Sequence, residues 1–212
     1  MALPNIRKKA YKALKSKEWS KTKVLGLMVL ILDAYGIRIG NKFYQNSNDT
    51  IGLTTLRRKH MKIEGEALTF HFKGKSKINR EVLIDDTELI RLIKDSADLP
   101  GYEIFRYQDE NGNFQAVDSD EVNQFINEHM GEDYSSKYFR TWAACRLAVD
   151  YYPKAFEEYE KAKRKKFSNI LINMVASELG NTPTVCKNYY IHPEIYDKIE
   201  QQTLPQPNPF EP

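Results

Sequence analysis

A tyrosine pair, an amide, two arginines and a lysine-bearing turn are the side chains here whose surroundings suggest chemistry. Residues 180–193 read Gly-Asn-Thr-Pro-Thr-Val-Cys-Lys-Asn-Tyr-Tyr-Ile-His-Pro. Asn181 before Thr182-Pro183 has the pattern of a helix N-cap with proline in the first turn. A short amphipathic run follows, and Tyr189-Tyr190 end it before Ile191-His192-Pro193 breaks the helix. A phenol held there would stand rigidly on one side of a pocket, with the Asn181 amide about two turns away. The plainer alternative is a capped helix carrying two core or surface tyrosines. Arg140 lies among aromatics in Lys137-Tyr138-Phe139-Arg140-Thr141-Trp142, at the start of another helix. Arg38 stands between Ile37 and Ile39 after an apolar helix; the alternative for it is a surface arginine on a short extended segment. Lys73, Lys75, Lys77 and Arg80 surround the turn Gly74-Lys75-Ser76, and lysines at a hairpin tip are often only solvated.

Several other chemistries are excluded. Gly74-Lys75-Ser76 is not a phosphate loop, because Thr69 occupies the first glycine position and a strand follows instead of a helix. Asp109-Glu110-Asn111-Gly112-Asn113 lacks the flanking helices of a calcium-binding hand, and Asp120 stands where its glutamate belongs. Cys145 and Cys186 form no CxxC pair, and no His/Cys cluster has zinc-ligand spacing. A reducing compartment with no structural metal is expected. The apolar run Val24–Leu32 is nine residues long, too short to span a bilayer, and reads as a buried core helix.

The net charge of +3 conceals an uneven distribution. Residues 1–23 hold eight Lys/Arg and one acid, residues 54–80 eight and two, and residues 136–166 nine and four. Residues 83–135 hold three Lys/Arg against fourteen acids. Such blocks can be solvated faces. Three basic blocks set against one acidic block also suit a polyanion held on one side of the molecule.

These residues need elements to position them. Residues 5–16 and 20–35 read as helices, with Gly36 as C-cap. Residues 59–64, 67–73 and 77–84 alternate apolar and polar and predict a three-stranded antiparallel meander. An acidic helix over 86–96, a short strand near 103–107 and helices over 118–129, 135–151 and 154–179 follow, then the short helix carrying Tyr189-Tyr190. The fold class is α+β and mainly helical, with a small sheet whose hairpin presents Lys75. Residues 204–212 are proline-rich and expected to be disordered.

In the order Arg38, Lys75, Arg140, Asn181, Tyr190, the chain resembles the small type IB DNA topoisomerases of poxviruses and bacteria. The matching stretches are Arg38-Ile39-Gly40-Asn41 with Tyr44, Gly52 through His60, Phe72-Lys73-Gly74-Lys75, Lys137 through Trp142, and Gly180-Asn181 through Tyr190-Ile191-His192-Pro193. They cover about residues 20–200. Many relatives carry histidine where Asn181 stands, whereas bacterial forms resemble this chain. The family's N-terminal β-rich domain is not expected within this sequence, which reads either as a catalytic fragment or as a shortened member; residues 1–203 are read as a catalytic domain.

The resemblance implies transesterification. Tyr190, nine residues after Asn181, would attack a phosphodiester of duplex DNA, giving a 3′-phosphotyrosine and a free 5′-hydroxyl. Reversal reseals the strand after it has swivelled, so no ATP, metal or other cofactor is implied. A tyrosine with a pKa of about 10 is ionised to roughly one part in a thousand at pH 7, about 4 kcal/mol uphill. Arg38 and Arg140 would clamp the non-bridging oxygens, Asn181 would add a donor, and Lys75 would protonate the leaving oxygen. Tyr44, Arg57, Arg58, Lys59, Lys77 and Lys137 are the expected DNA contacts away from the chemistry. Double-stranded DNA is the expected partner. The protein is expected to be a monomer without membrane association, in the cytoplasm and at the nucleoid if the source is bacterial. Tyrosine recombinases share this site logic and are the enzyme alternative, although Lys137 stands where they usually carry histidine. A non-catalytic DNA-binding module is the other alternative.

Overall fold

Helices α1 (Ala2–Leu14) and α2 (Lys21–Tyr35) open the computed structural model, which describes residues 2–42, 49–162 and 165–205. The chain divides into two units, Met1–Tyr138 and Phe139–Pro212.

In the first unit α2 is buried along nearly its whole length, as its unbroken apolar run requires. Leu27, Met28, Ile31 and Leu32 are fully buried, each side chain contributing about 1.5–3 kcal/mol. Ser20 caps α2 by accepting from the Lys23 N–H at 3.4 Å, and Gly36 ends it in the left-handed region at φ 58°. Arg7 of α1 forks onto Asp33 of α2, with Nε–Oδ2 at 2.6 Å and Nη2–Oδ1 at 3.0 Å. The ion pair satisfies an acid that the apolar helix would otherwise bury alone.

The predicted meander is present as β1 (Met61–Glu64), β2 (Ala67–Lys73) and β3 (Asn79–Ile84), in the order β1-β2-β3. Leu68, Phe70 and Phe72 face the core from β2, and the last β2–β3 pair is Lys73 with Asn79. Residues 59–60, read as strand, form a 3-10 turn with Arg58. Helix α3 (Thr87–Ala97) is capped by Asp86. A second hairpin, β4 (Arg106–Gln108) with β5 (Phe114–Ala116), encloses the turn at Asp109–Asn113. Asp109 accepts the N–H groups of Asn111 and Asn113 at 3.0 and 2.9 Å, so its carboxylate organises the turn. Helix α4 (Ser119–Met130) starts on a reciprocal capping box between Asp118 and Glu121.

The division between units falls inside α5 (Ser136–Asp150). The continuous helix expected over 154–179 is two helices, α6 (Tyr152–Lys161) and α7 (Phe167–Leu179). Ala162 is extended at φ −99°, ψ 96°, where the basic run 161–166 begins. Like charges along one helical turn repel one another and weaken helix continuation there. Helices α8 (Pro183–Tyr189) and α9 (Pro193–Glu200) follow. The second unit packs Leu171, Val175 and Leu179 against Ala144, Ala148 and Cys186, and Phe167 edge-on to Tyr152 at 5.0 Å. Leu204, placed by the sequence reading at the start of a disordered tail, is buried in this core, and the Tyr152 hydroxyl donates to the Gln202 carbonyl at 2.8 Å. The tail after Pro205 lies outside the described residues.

Candidate active site

Arg38 and Lys75 belong to the first unit; Arg140, Asn181 and Tyr190 belong to the second.

Arg38 is held by its backbone. After Gly36 the chain runs extended, and the Arg38 and Ile39 carbonyls accept the N–H groups of Leu53 and Thr54, both at 2.8 Å. The two segments meet at Gly40, with φ +83°, and Gly52. A Cβ on Gly52 would lie 2.4 Å from the Gly40 Cα and 2.7 Å from the Arg38 carbonyl oxygen. Only glycine permits this backbone contact. Thr55 completes the turn, its hydroxyl accepting from Gly52 N–H at 3.0 Å and donating to the Gly52 carbonyl at 3.1 Å. The result is a half-buried Arg38 on a clasped backbone rather than an arginine on a loose surface segment.

Lys75 is exposed at the tip of the β2–β3 hairpin. The loop is closed by Gly74 N–H to the Ile78 carbonyl at 2.8 Å and Lys77 N–H to the Gly74 carbonyl at 3.0 Å. Ser76 and Lys77 both have positive φ, 62° and 59°. Two consecutive left-handed residues other than glycine cost about 1 kcal/mol or more each, and such strain gathers where a side chain must be aimed. Lys77 is exposed on this loop.

The second unit gathers the other three residues around one helix end. Helix α7 ends with Gly180 at φ 59°. Gly180 N–H reaches the Ser177 carbonyl at 3.1 Å and Asn181 N–H the Ala176 carbonyl at 2.8 Å, the paired bonds of a Schellman motif. This corrects one expectation. Thr182 is the N-cap of α8, accepting from Val185 N–H at 3.3 Å, because Asn181 already serves the end of α7. Asn181 is 9% exposed and Arg140 4%, so both sit where electrostatic contacts are weakly screened. Arg140 Nη2 donates to the Leu179 carbonyl at 3.0 Å, two residues before Asn181. The same guanidinium lies over the Tyr190 ring, 4.9 Å from its centroid. One buried cation therefore ties the helix end bearing Asn181 to the tyrosine at the end of α8.

Of the tyrosine pair, Tyr190 is half-buried beneath Arg140, and Tyr189 is 63% exposed. Consecutive helical residues diverge by about 100°, so one ring faces in and its neighbour out. The thiols are poor nucleophiles: burial pushes Cys186 up to about 11, against an opposing effect of Arg140, and burial also raises Cys145.

The other expected DNA contacts differ in their surroundings. Lys59 and Lys137 are exposed. Arg57 is 3.7 Å from Glu103. Arg58, exposed, directs its Nε–H at the Ala97 carbonyl and its Nη2 at the Leu99 carbonyl, binding the end of α3. Tyr44 lies outside the described residues. Among the described residues, no group of three or more His, Cys, Asp or Glu side chains is arranged to hold a metal ion, and no helix is long and apolar enough to cross a membrane. The Gly40–Gly52 clasp, the strained pair after Lys75 and the Schellman turn before Asn181 are positioning features that the sequence reading missed. Only the glycines beside the reactive residues signalled them.

A family model described as the catalytic core of eukaryotic DNA topoisomerase I matches residues 1–206. DNA topoisomerase 1B of Acanthamoeba polyphaga mimivirus is 28% identical over 197 residues, covering 90% of this chain and 59% of the relative. DNA topoisomerase 1B of vaccinia virus (strain Copenhagen) is 23% identical over 185 residues, covering 85% and 55%. The chain thus spans little more than half the length of these relatives. The XerH site-specific recombinase, solved in a pre-cleavage complex with its difH substrate, superposes with a TM-score of 0.53 at 17% identity, over 95% of this chain and 52% of that one. At that identity the likeness is one of fold.

Proposed function

This chain belongs to the family of the DNA topoisomerase I catalytic core, and we propose that it is a type IB enzyme that nicks one strand of duplex DNA through a transient 3′-phosphotyrosine. The observation that carries the proposal is the Arg140 guanidinium lying over Tyr190 while it holds the carbonyl two residues before Asn181. Tyr190 Oη attacks the phosphorus, the bond to O5′ breaks, and the phenolic proton passes to solvent. Arg140 and Arg38 bind the non-bridging oxygens with permanently charged forks, and the Asn181 amide adds a neutral donor. Each donor aimed at developing charge in a water-poor site contributes about 3–4 kcal/mol. Lys75 Nζ gives its proton to the departing O5′, an effect of roughly 10²–10⁴-fold. Religation is the same path reversed. The bond energy stays in the phosphotyrosine, so supercoils relax without ATP, metal or other cofactor.

Tyr44, Arg57, Arg58, Lys59, Lys77 and Lys137 are proposed to contact DNA outside the chemistry. The enzyme is proposed to work as a monomer, in the cytoplasm and at the nucleoid of a bacterial source, with residues 1–203 acting as one catalytic domain. Relaxation of supercoiled plasmid in chelator without nucleotide tests this reading, with denaturant added to trap the adduct. Relaxation and a 3′-linked protein–DNA adduct are expected; DNA binding with no adduct would refute it. Strand exchange between two duplexes would favour the recombinase alternative, whose site logic is shared.

A further inference from the structure

Beside the lysine hairpin, the first unit opens a groove of about 710 Å3 that the reaction does not use. Arg57, Lys59, Lys73 and Arg80 bring four cations to it, with His60 and His71 between them. Asp49 and Glu81 are the acids present, and Glu81 faces His71 at 3.7 Å across β2–β3. Arg57 also faces Glu103 at 3.7 Å, and Lys59, Lys73 and Arg80 bring three further cations to the cavity against Asp49 and Glu81; a bound anion relieves their mutual repulsion. Lys73 and Asn79 form the last pair of the hairpin, so the groove begins two residues from Lys75. Arg80 lays its stem over the hairpin base, its Cγ 3.1 Å from where a Cβ on Gly74 would stand.

His60 adds a neutral donor. Its Nδ1 accepts the Arg57 backbone N–H at 3.0 Å, which leaves the ring proton on Nε2. Burial, together with Lys59 and Arg57, holds its pKa below the ordinary histidine value, despite the opposing pull of Asp49. The imidazole therefore stays neutral at pH 7 and keeps that tautomer. Among the described residues the apolar side chains lining the groove are Ile51 and Phe72, both buried, and the exposed ring is His71, which faces Glu81. Cations beside a fixed neutral donor suit the phosphates of a nucleic-acid backbone.

We infer that this groove seats backbone phosphates of the bound duplex beside the scissile bond, with Lys73 and Arg80 as contacts and no reading of base sequence. The inference rests on the DNA-transesterification reading. The test is the double variant Lys73→Gln/Arg80→Gln in the full chain. Lys73 is exposed, and glutamine keeps the stem that Arg80 lays over Gly74. Duplex affinity is measured from 50 to 300 mM salt on two unrelated sequences.

The slope of log affinity against log salt should become shallower by about 1.8, roughly 0.9 per lost contact. Affinity at 0.1 M salt should fall by about one to two decades, equally on both sequences. Lys73→Arg/Arg80→Lys should restore the slope. An unchanged slope in the glutamine variant puts the groove off the DNA path and overturns the inference. A loss confined to one sequence overturns backbone seating. A wild-type protein whose binding ignores salt would instead refute the DNA reading beneath it.

Discussion

Gly52→Ala should disable the enzyme through Arg38, although residue 52 is not a reactive group. The added Cβ would stand 2.4 Å from both the Cα and N of Gly40, and 2.7 Å from the Arg38 carbonyl oxygen. All three obstacles are backbone, so no side chain can rotate away, and the two segments must part by about 1 Å to reach ordinary contact. Parting them stretches the bonds from Leu53 N–H to Arg38 and from Thr54 N–H to Ile39, each 2.8 Å long. Two backbone bonds at about 0.5–1.5 kcal/mol each, plus overpacking of about 1–3 kcal/mol, give a cost of roughly 2–6 kcal/mol. A shift of about 1 Å in a positioned group costs on the order of 10²-fold in rate. Gly65→Ala is the control: its φ is +60°, yet nothing lies within 4 Å of the added Cβ. It should cost about 1 kcal/mol of stability from conformation alone and leave cleavage unchanged. Single-turnover cleavage at saturating DNA, read beside urea denaturation, separates the two effects. Gly52→Ala that stays folded and cleaves at the wild-type rate would refute the clasp.

Three further outcomes are expected. Lys75→Ala should slow cleavage by about 10²–10⁴-fold on ordinary DNA and recover most of that loss when sulfur replaces the 5′-bridging oxygen; equal defects on both substrates would make Lys75 a phosphate binder and not the acid. Arg140→Lys keeps the charge and loses the planar fork, so cleavage should drop by about 10²–10³-fold, and the broken bond to the Leu179 carbonyl should lower stability by about 1.5–3 kcal/mol in denaturant titration. Tyr35, pushed up to about 12 by burial and by its hydrogen bond to Asp85, should stabilise the fold fully below pH 10 and lose that contribution as pH rises towards 12. The stability gap between wild type and Tyr35→Phe in urea titrations should therefore narrow by about 1 kcal/mol from pH 9 to pH 11.5, allowing for its partial exposure; a constant gap would contradict the assignment.

The two opening helices were legible because α2 is an apolar run between a serine cap and Gly36, and the meander because its strands alternate. The order of Arg38, Lys75, Arg140, Asn181 and Tyr190 was legible through motifs. What escaped the sequence has definite causes. The break between α6 and α7 contains neither glycine nor proline, so the helical period ran through it. The strand expected near 103–107 is present as β4 at Arg106–Gln108, but its partner β5 is three residues long, too short for alternation to register. The helix bearing the tyrosine pair does end before Ile191-His192-Pro193, but α9 was missed: Pro193 is its first residue, a position where its missing N–H costs nothing. Asn181 resembled an N-cap until the Schellman turn claimed its N–H. The Gly40–Gly52 contact involves no side chains and joins segments twelve residues apart, so no periodicity or propensity encodes it.

The central claim is that Tyr190 alone becomes bonded to DNA, and peptide mapping of the trapped adduct tests it most directly. Supercoiled DNA is treated with wild type, Tyr190→Phe and Tyr189→Phe, quenched in denaturant, and the modified tyrosine is identified by mass spectrometry. Phenylalanine keeps the ring beneath Arg140 and removes only the attacking oxygen. Wild type and Tyr189→Phe should carry phosphate on Tyr190, and Tyr190→Phe should bind DNA and form no adduct. Phosphate on Tyr189, or an adduct that survives in Tyr190→Phe, would contradict the account.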